Sequence, residues 1–300
     1  MNSVVKCSIA MTTYNGAIFL REQLDSILEQ SVRDFELIIC DDCSSDDTWE
    51  ILEEYALKDK RIAIFKNESN LGFKKNFEKA ITLCTGDYIA LSDQDDVWAP
   101  NHLEILFSII GENMVACGNS DLIDEDGKKI GLTLNEMEAL DSKNSNNLKR
   151  AYTILYFRNP YQGAAMLIKR EFFTKALPIP EDVKYHDAWF SMLSCFYGGM
   201  NCTDKIVNQY RMHSHNVTGK RKKRKSRLKT LIYQILFPHA VMDRPAMLRT
   251  IVERIDHMSK EQILFINEAK RVLDQNMSFN GKILNALFRI THYKTIYSVE

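Results

Sequence analysis

Four short apolar runs lie within the first 92 residues of this 300-residue chain, and segments of helical period separate them. No other sequence feature constrains the fold as strongly. Residues 4–11 run apolar into Thr12-Thr13-Tyr14-Asn15-Gly16, which has turn chemistry. Leu20, Leu24, Ile27 and Leu28 then recur on one helical face, predicting a helix over 17–30. Residues 35–40, apolar apart from Glu36, stop at Asp41-Asp42. Ser44, Ser45 and Asp46 offer N-caps for a helix running to about residue 57. A third strand follows at 61–65. A helix opening at Leu71-Gly72 carries Phe77, Ala80, Ile81 and Cys84, and a fourth strand at 88–91 ends at Ser92-Asp93-Gln94-Asp95-Asp96. This alternation predicts an α/β fold with a mostly parallel central sheet flanked by helices.

In such sheets ligands bind beyond the carboxyl ends of the strands. The polar clusters at 12–15, 41–42 and 93–96 each follow a strand, so they should converge on one edge. One Asp at a strand end is ordinary; five carboxylates in two clusters are not. Hard divalent cations take one or two carboxylates together with phosphate oxygens, and the Asp-rich turn at 93–96 suits a metal–diphosphate complex. There is no Gly-x-Gly-x-x-Gly and no Gly-Lys-Ser/Thr phosphate loop. Dehydrogenase-type and P-loop nucleotide binding are therefore excluded.

The rhythm breaks after about residue 117. Asp126-Gly127 reads as a hairpin-like turn, and 135–147 as a loop or irregular helix. Strands are expected at 163–168 and 206–210, with a helix at 187–197. This half should be more antiparallel. The later apolar positions Ile263, Ile266 and Leu273 predict a C-terminal helical extension.

The ordered motifs Met11-Thr12-Thr13-Tyr14-Asn15-Gly16, Cys40-Asp41-Asp42-Cys43-Ser44, Asn70-Leu71-Gly72-Phe73 and Ser92-Asp93-Gln94-Asp95-Asp96-Val97-Trp98 resemble the signatures of family 2 glycosyltransferases with the GT-A fold. His186-Asp187-Ala188-Trp189 resembles that family's acidic motif. Tyr210-Arg211-Met212-His213, leading to the motif at 216–219, resembles the closing motif of the bacterial rhamnosyltransferase-like branch. The resemblance covers roughly residues 5–219. It implies three parts: a nucleotide-sugar-binding half at 1–118, an acceptor-binding half of the same domain at 119–219, and a basic linker with helical tail at 220–300.

The resemblance also implies roles. Thr12, Tyr14 and Asn15 would line the nucleotide pocket, with Tyr14 stacking on a pyrimidine and Asp42 accepting its N–H. Lys74 or Lys75 would face phosphate. Asp93 would sit at the ribose or a metal-bound water, Asp95 would coordinate Mg²⁺ or Mn²⁺, Asp96 would support it, and His213 would complete the metal site with Asp93 and Asp95. Gly163 and Trp189 would meet the acceptor, and Asp187 would be the general base. The implied activity is inverting, metal-dependent transfer from dTDP-rhamnose or a UDP-sugar to a hydroxyl of a glycan or lipid-linked acceptor, in cell-surface polysaccharide synthesis. A nucleotidyltransferase and a catalytically silent nucleotide-sugar-binding subunit are the alternatives. Read without the family, Asp187 is a helix N-cap, Tyr14 and Trp189 are core aromatics, and His213 is a turn residue.

The formal net charge of −1 conceals an asymmetry. Residues 1–219 hold 22 basic and 33 acidic side chains, and residues 220–300 hold 17 and 7. Seven of the eight residues at 220–227 are cationic. With the apolar positions after them, they predict attachment to an anionic membrane surface rather than a nucleic-acid contact, since no aromatics interleave the run. A solvated linker is the plainer reading. Seven scattered cysteines predict free thiols in a reducing cytosol. The expected location is thus cytoplasmic, peripheral at the inner face of the cell membrane.

Overall fold

A computed structural model describes residues 7–138, 146–156, 159–214 and 244–275. The basic run at 220–229, the apolar positions following it to 237, and the motif at 216–219 lie outside the described residues.

Strands β1 (Cys7–Thr13), β2 (Phe35–Asp41), β3 (Ile62–Lys66) and β4 (Tyr88–Ser92) pair in parallel in the order 3-2-1-4. Helices α1 (Ala17–Leu28), α2 (Thr48–Lys58) and α3 (Phe73–Leu83) connect them. All of β1 is buried, as is β2 apart from Glu36. A parallel sheet covered on both faces needs such continuous apolar strands. Glu36 is accommodated because one carboxylate oxygen accepts from Ser8 Oγ at 2.5 Å and from the Thr85 N–H at 2.6 Å. The expected helix faces also point inward: Leu20, Leu24 and Ile27 on α1, and Phe77, Ala80 and Ile81 on α3.

The second half continues the same sheet with mixed pairing. In chain order its elements are β5 (Val97–Trp98), α4 (His102–Ile110), β6 (Val115–Ile123), β7 (Lys129–Thr133), α5 (Leu134–Glu138), α6 (Asn147–Tyr156), β8 (Met166–Lys169), α7 (Phe173–Ala176), α8 (His186–Ser194) and β9 (Met200–Arg211). β8 is antiparallel to both β4 and β6, and β6 runs parallel to β9. β7 and β5 pair antiparallel with β6 and β9 respectively. The β6–β7 hairpin turns at Gly127, whose φ of 78° suits glycine.

Two local expectations change. Residues Gly163–Ala165 form a 3-10 turn instead of opening a strand, and the Ala165 N–H bonds back to the Gln162 carbonyl. β9 is twelve residues long rather than five. Its first half is polar and partly exposed, so no apolar run marks it, and its pairing with β6 holds only through register shifts around Asn119.

Helices α9 (Arg244–Arg254) and α10 (Lys260–Gln275) bear out the helical extension and dock on the body. Met247, Leu248 and Ile251 are buried, each worth about 1.5–3 kcal/mol. Arg254 donates from Nη1 to the Lys175 carbonyl at 3.0 Å and from Nη2 to the Pro178 carbonyl at 2.8 Å. The described helices are too short or too polar to cross a membrane.

The halves are tied together by Asp96, which is fully buried. Its Oδ2 accepts from Gln162 Nε2 at 2.9 Å and Asn208 Nδ2 at 2.7 Å, and its Oδ1 accepts from the Arg211 N–H at 3.2 Å. Replacing Asp96 by Ala would strand these donors away from water, at about 1–3 kcal/mol each. Asp96→Ala should therefore lose about 3 kcal/mol or more in urea unfolding. A loss under about 1 kcal/mol would show that the halves are held elsewhere.

Candidate functional site

The carboxyl ends of the first four strands do form one edge, with Thr13 opposite Asp41 and Met11 opposite Ser92 in register. Thr13 Oγ1 donates to Asp41 Oδ1 at 2.9 Å, locking β1 to β2 at that level. The β1 and β4 ends are joined by Gln94. Its Oε1 accepts the Tyr14 N–H at 2.8 Å and its Nε2 donates to the Tyr14 carbonyl at 3.0 Å. Gly16 permits this, since a Cβ there would stand 2.1 Å from Gln94 Oε1. Tyr14 is left 49% exposed at the edge. Asn15, at φ 48°, accepts the Ser45 N–H through Oδ1. Thr12 is buried just beneath.

Asp42 is buried, and its carboxylate is heavily engaged. Oδ1 accepts from Asn67 Nδ2 and the Leu71 N–H, and Oδ2 from the Gly72 N–H, all at 2.7–2.8 Å. These bonds shape the 67–72 loop beyond the end of β2. Lys75 Nζ pairs with Glu78 Oε2 at 2.8 Å on the exposed side of α3. Lys74 Nζ lies on three carbonyls of the 180–183 segment.

The Asp-rich turn separates into three environments. Asp96 is the buried tie already described. Burial, and then the charges of Asp95 and Asp93, push it well above the usual carboxylate range. Asp95 Oδ2 meets His213 Nε2 at 2.8 Å, and the His213 ring lies 4.9 Å from that of Phe19. Asp93 is pushed up to about 7 by burial and by the charges of Asp95 and Asp187. The structure thus brings Asp187 into electrostatic reach of the strand-edge cluster.

Asp187 occupies the first turn of α8, whose N-cap is Tyr185. Its Oδ1 accepts the Ala188 N–H at 2.6 Å. Burial raises it to about 6. The Ala188 N–H, the Arg244 charge and the Asn159 side chain work in the opposite direction. A buried carboxyl raised toward neutrality has the protonation behaviour a general base needs. Gly163 lies directly against this turn: a Cβ there would stand 2.9 Å from His186 Nε2 and 3.5 Å from Asp187 Cβ.

Two expectations need correction. Trp189 cannot present a face to an acceptor, because it is fully buried and its indole N–H donates to the Ala176 carbonyl at 2.8 Å. Its position on α8 turns it toward α7 and Arg254. The expected trio of Asp93, Asp95 and His213 is not assembled: no three His, Cys, Asp or Glu side chains among the described residues are gathered to enclose a metal. Of the three, Asp95 and His213 are in contact, and a carboxylate and an imidazole are both side chains that can ligate a divalent ion.

Several contributors had no role assigned from the sequence, although Gln94 and Arg211 stand inside the quoted motifs. Gln94, Gln162, Asn208 and Asn67 are uncharged amides whose importance comes only from what they bridge. Arg211 is 1% exposed. It reaches Glu22 Oε2 at 2.5 Å, the Asp95 carbonyl at 2.9 Å and the Glu125 carbonyl at 3.1 Å, fixing the approach to His213. The cysteines are all free thiols.

Comparison with known proteins now bears on this arrangement. The family model for glycosyl transferase family 2 matches residues 8–175. An uncharacterized glycosyltransferase of Haemophilus influenzae is 30% identical over 213 residues, covering 70% of this chain and 76% of its own. EpsE of Bacillus subtilis, named as a glycosyltransferase, is 41% identical over 105 residues, 35% of this chain and 38% of EpsE. WfgD of Escherichia coli, a UDP-Glc:α-D-GlcNAc-diphosphoundecaprenol β-1,3-glucosyltransferase, is 34% identical over 119 residues, 39% of this chain and 46% of WfgD. The chain therefore spans less than half the length of EpsE and of WfgD. Among solved structures, S. aureus TarS in complex with UDP-GlcNAc superposes with a TM-score of 0.57 at 18% identity, over 83% of this chain and 71% of that one. The mannosyltransferase PcManGT of Pyrobaculum calidifontis, in complex with GDP-Man and Mn²⁺, gives 0.55 at 15% identity over 100% and 89%. The architecture is the GT-A fold. With the family pattern running from β1 through Gly163 to α7, the chain belongs to glycosyl transferase family 2.

Proposed function

We propose that this protein transfers a sugar from a nucleotide-diphosphate sugar to an acceptor hydroxyl with inversion. The observation that carries the proposal is that Gln162 bonds Asp96 at 2.9 Å while the next residue, Gly163, packs against Asp187, where a Cβ would stand 3.5 Å from Asp187 Cβ; burial raises Asp187 to about 6. Asp187 takes the acceptor's proton as that oxygen attacks the anomeric carbon from the face opposite the departing diphosphate. One carboxylate acting in a single displacement gives inversion. Gly163 leaves the acceptor side of Asp187 uncrowded, and Tyr14, Thr12 and Asn15 line the nucleotide end. Asp42 offers its remaining acceptor capacity to the base. Asp95 and His213 would hold a divalent cation, Mg²⁺ or Mn²⁺, whose charge offsets that building on the leaving diphosphate. The Mn²⁺ and GDP-Man of PcManGT and the UDP-GlcNAc of TarS support this class of donor complex. The diphosphoundecaprenol-linked acceptor in the name of WfgD, and the teichuronic acid biosynthesis in that of the relative TuaG of Bacillus subtilis, support a glycan or lipid-linked acceptor in cell-surface polysaccharide synthesis.

Asp187→Asn should abolish transfer while nucleotide binding survives, and wild-type kcat/KM should fall about tenfold per pH unit below pH ~6, as the base takes up its proton. Transfer by Asp187→Asn at near wild-type rate would refute the base assignment.

Donor class is tested by a thermal-shift panel of dTDP, UDP, GDP and CMP with and without Mn²⁺. One pyrimidine diphosphate should stabilise the protein, and only with metal, reporting a dTDP-rhamnose or UDP-sugar donor. Equal stabilisation without metal would remove the cation from the proposal.

The basic run at 220–229 is proposed to hold the enzyme at the inner face of the cell membrane, since anionic lipid attracts polybasic segments with about 1 kcal/mol per cation. The chain should co-sediment with anionic but not neutral liposomes, and deleting residues 220–229 should end this.

A further inference from the structure

The chain between α7 and α8, residues 177–185, leads directly into Asp187 and contains no helix or strand. It is held from one side by the first turns of α3. Lys74 Nζ donates to the carbonyl oxygens of Pro180 at 3.2 Å, Glu181 at 2.9 Å and Val183 at 2.9 Å. An ammonium has three protons, and this geometry occupies all three. One turn along, Glu78 Oε1 accepts the Ile179 N–H. On the same face, the Phe73 ring stacks 6.1 Å from Tyr185, and the Phe77 ring lies 4.2 Å from His186. Within the segment, the Val183 N–H bonds to the Pro180 carbonyl at 3.0 Å, closing the turn that Lys74 caps.

Lys74 stands in the first turn of α3, the positive end of the helix dipole, where a cation is disfavoured. Three carbonyls aimed at it offset that placement. Its anchorage begins at the nucleotide edge, because Asp42 binds the Leu71 and Gly72 N–H groups immediately before the helix. A continuous set of bonds therefore runs from the end of β2, through the start of α3, to the segment that carries Asp187.

We propose that Lys74 is a positioning residue for Asp187: its ammonium clamps the 180–183 carbonyls and so fixes where the carboxylate of the following helix stands. This rests on Asp187 being the base. It also assigns Lys74 away from phosphate, because a phosphate contact would require Nζ to give up at least one of the three carbonyls.

The test uses the full-length chain and the variant Lys74→Met, which keeps the stem and removes the donors. Three readouts are compared with wild type and Asp187→Asn. They are amide hydrogen exchange over 178–186, stabilisation by UDP or dTDP with Mn²⁺, and the slow release of nucleotide diphosphate from UDP-glucose or dTDP-rhamnose, which is transfer to water. Lys74→Met should speed exchange over 178–186, leave the nucleotide affinity within about twofold, and lower the maximal release rate on the order of tenfold, as small displacements of catalytic groups do. Unchanged exchange, or a release rate within twofold of wild type, would overturn the proposal. So would a loss of nucleotide affinity large enough to account for the slower release, which would return Lys74 to the phosphate. If Asp187→Asn leaves release unchanged, the base assignment itself fails. The exchange result then still reports whether Lys74 holds the segment.

Discussion

The carboxylate of Asp96 is the contact on which the rest of the site depends. It is the last of the acidic residues at the end of β4, yet it binds nothing at the surface. It gathers Gln162, the residue before the 163–165 turn, together with Asn208 and the Arg211 backbone, both on β9. Each partner then places a neighbour. Gln162 precedes Gly163, which lies against Asp187, and Arg211 leads to His213, which meets Asp95. One buried acceptor thus sets the distance between the ends of the first four strands and the turn that carries Asp187. Burial of that carboxyl is costly, and hydrogen bonds from neighbouring strands offset it.

Around this tie the charges are graded by environment. Asp95 has an imidazole partner, Asp96 has amides, Asp93 is raised by burial and then by the charges of Asp95 and Asp187, and Asp187 is raised by burial. Such a cluster favours a bound cation or a retained proton, since unneutralised carboxylates crowded together repel. Under the proposed function, the same crowding would favour a metal-bound diphosphate at this edge and a base titrating near neutrality.

Much of the N-terminal half could be read in advance. β1, β2 and β4 are continuous apolar runs because both faces of a parallel sheet are covered, and the polar clusters that end them mark the edge where ligands bind. The second half resisted such reading. β9 is polar over its first residues and pairs through register shifts, so no periodicity announces it. Trp189 follows directly in the motif around Asp187, but the helix turns it inward onto Ala176. Proximity in sequence to a functional carboxylate says nothing about which side of a helix a residue takes, and only packing decides it. Lys74 and Lys75 are adjacent and chemically identical, yet one clamps a loop and the other pairs on the surface.

By itself, the sequence determined the strand–helix alternation, the converging edge and the kinds of chemistry available there, because periodicity and turn residues are local properties. The tertiary structure alone decided which carboxylates would be drawn together, which would be spent on structure, and which lysine would hold the segment leading into Asp187. Those outcomes depend on burial and on partners contributed by distant strands and helices, and no local pattern encodes them.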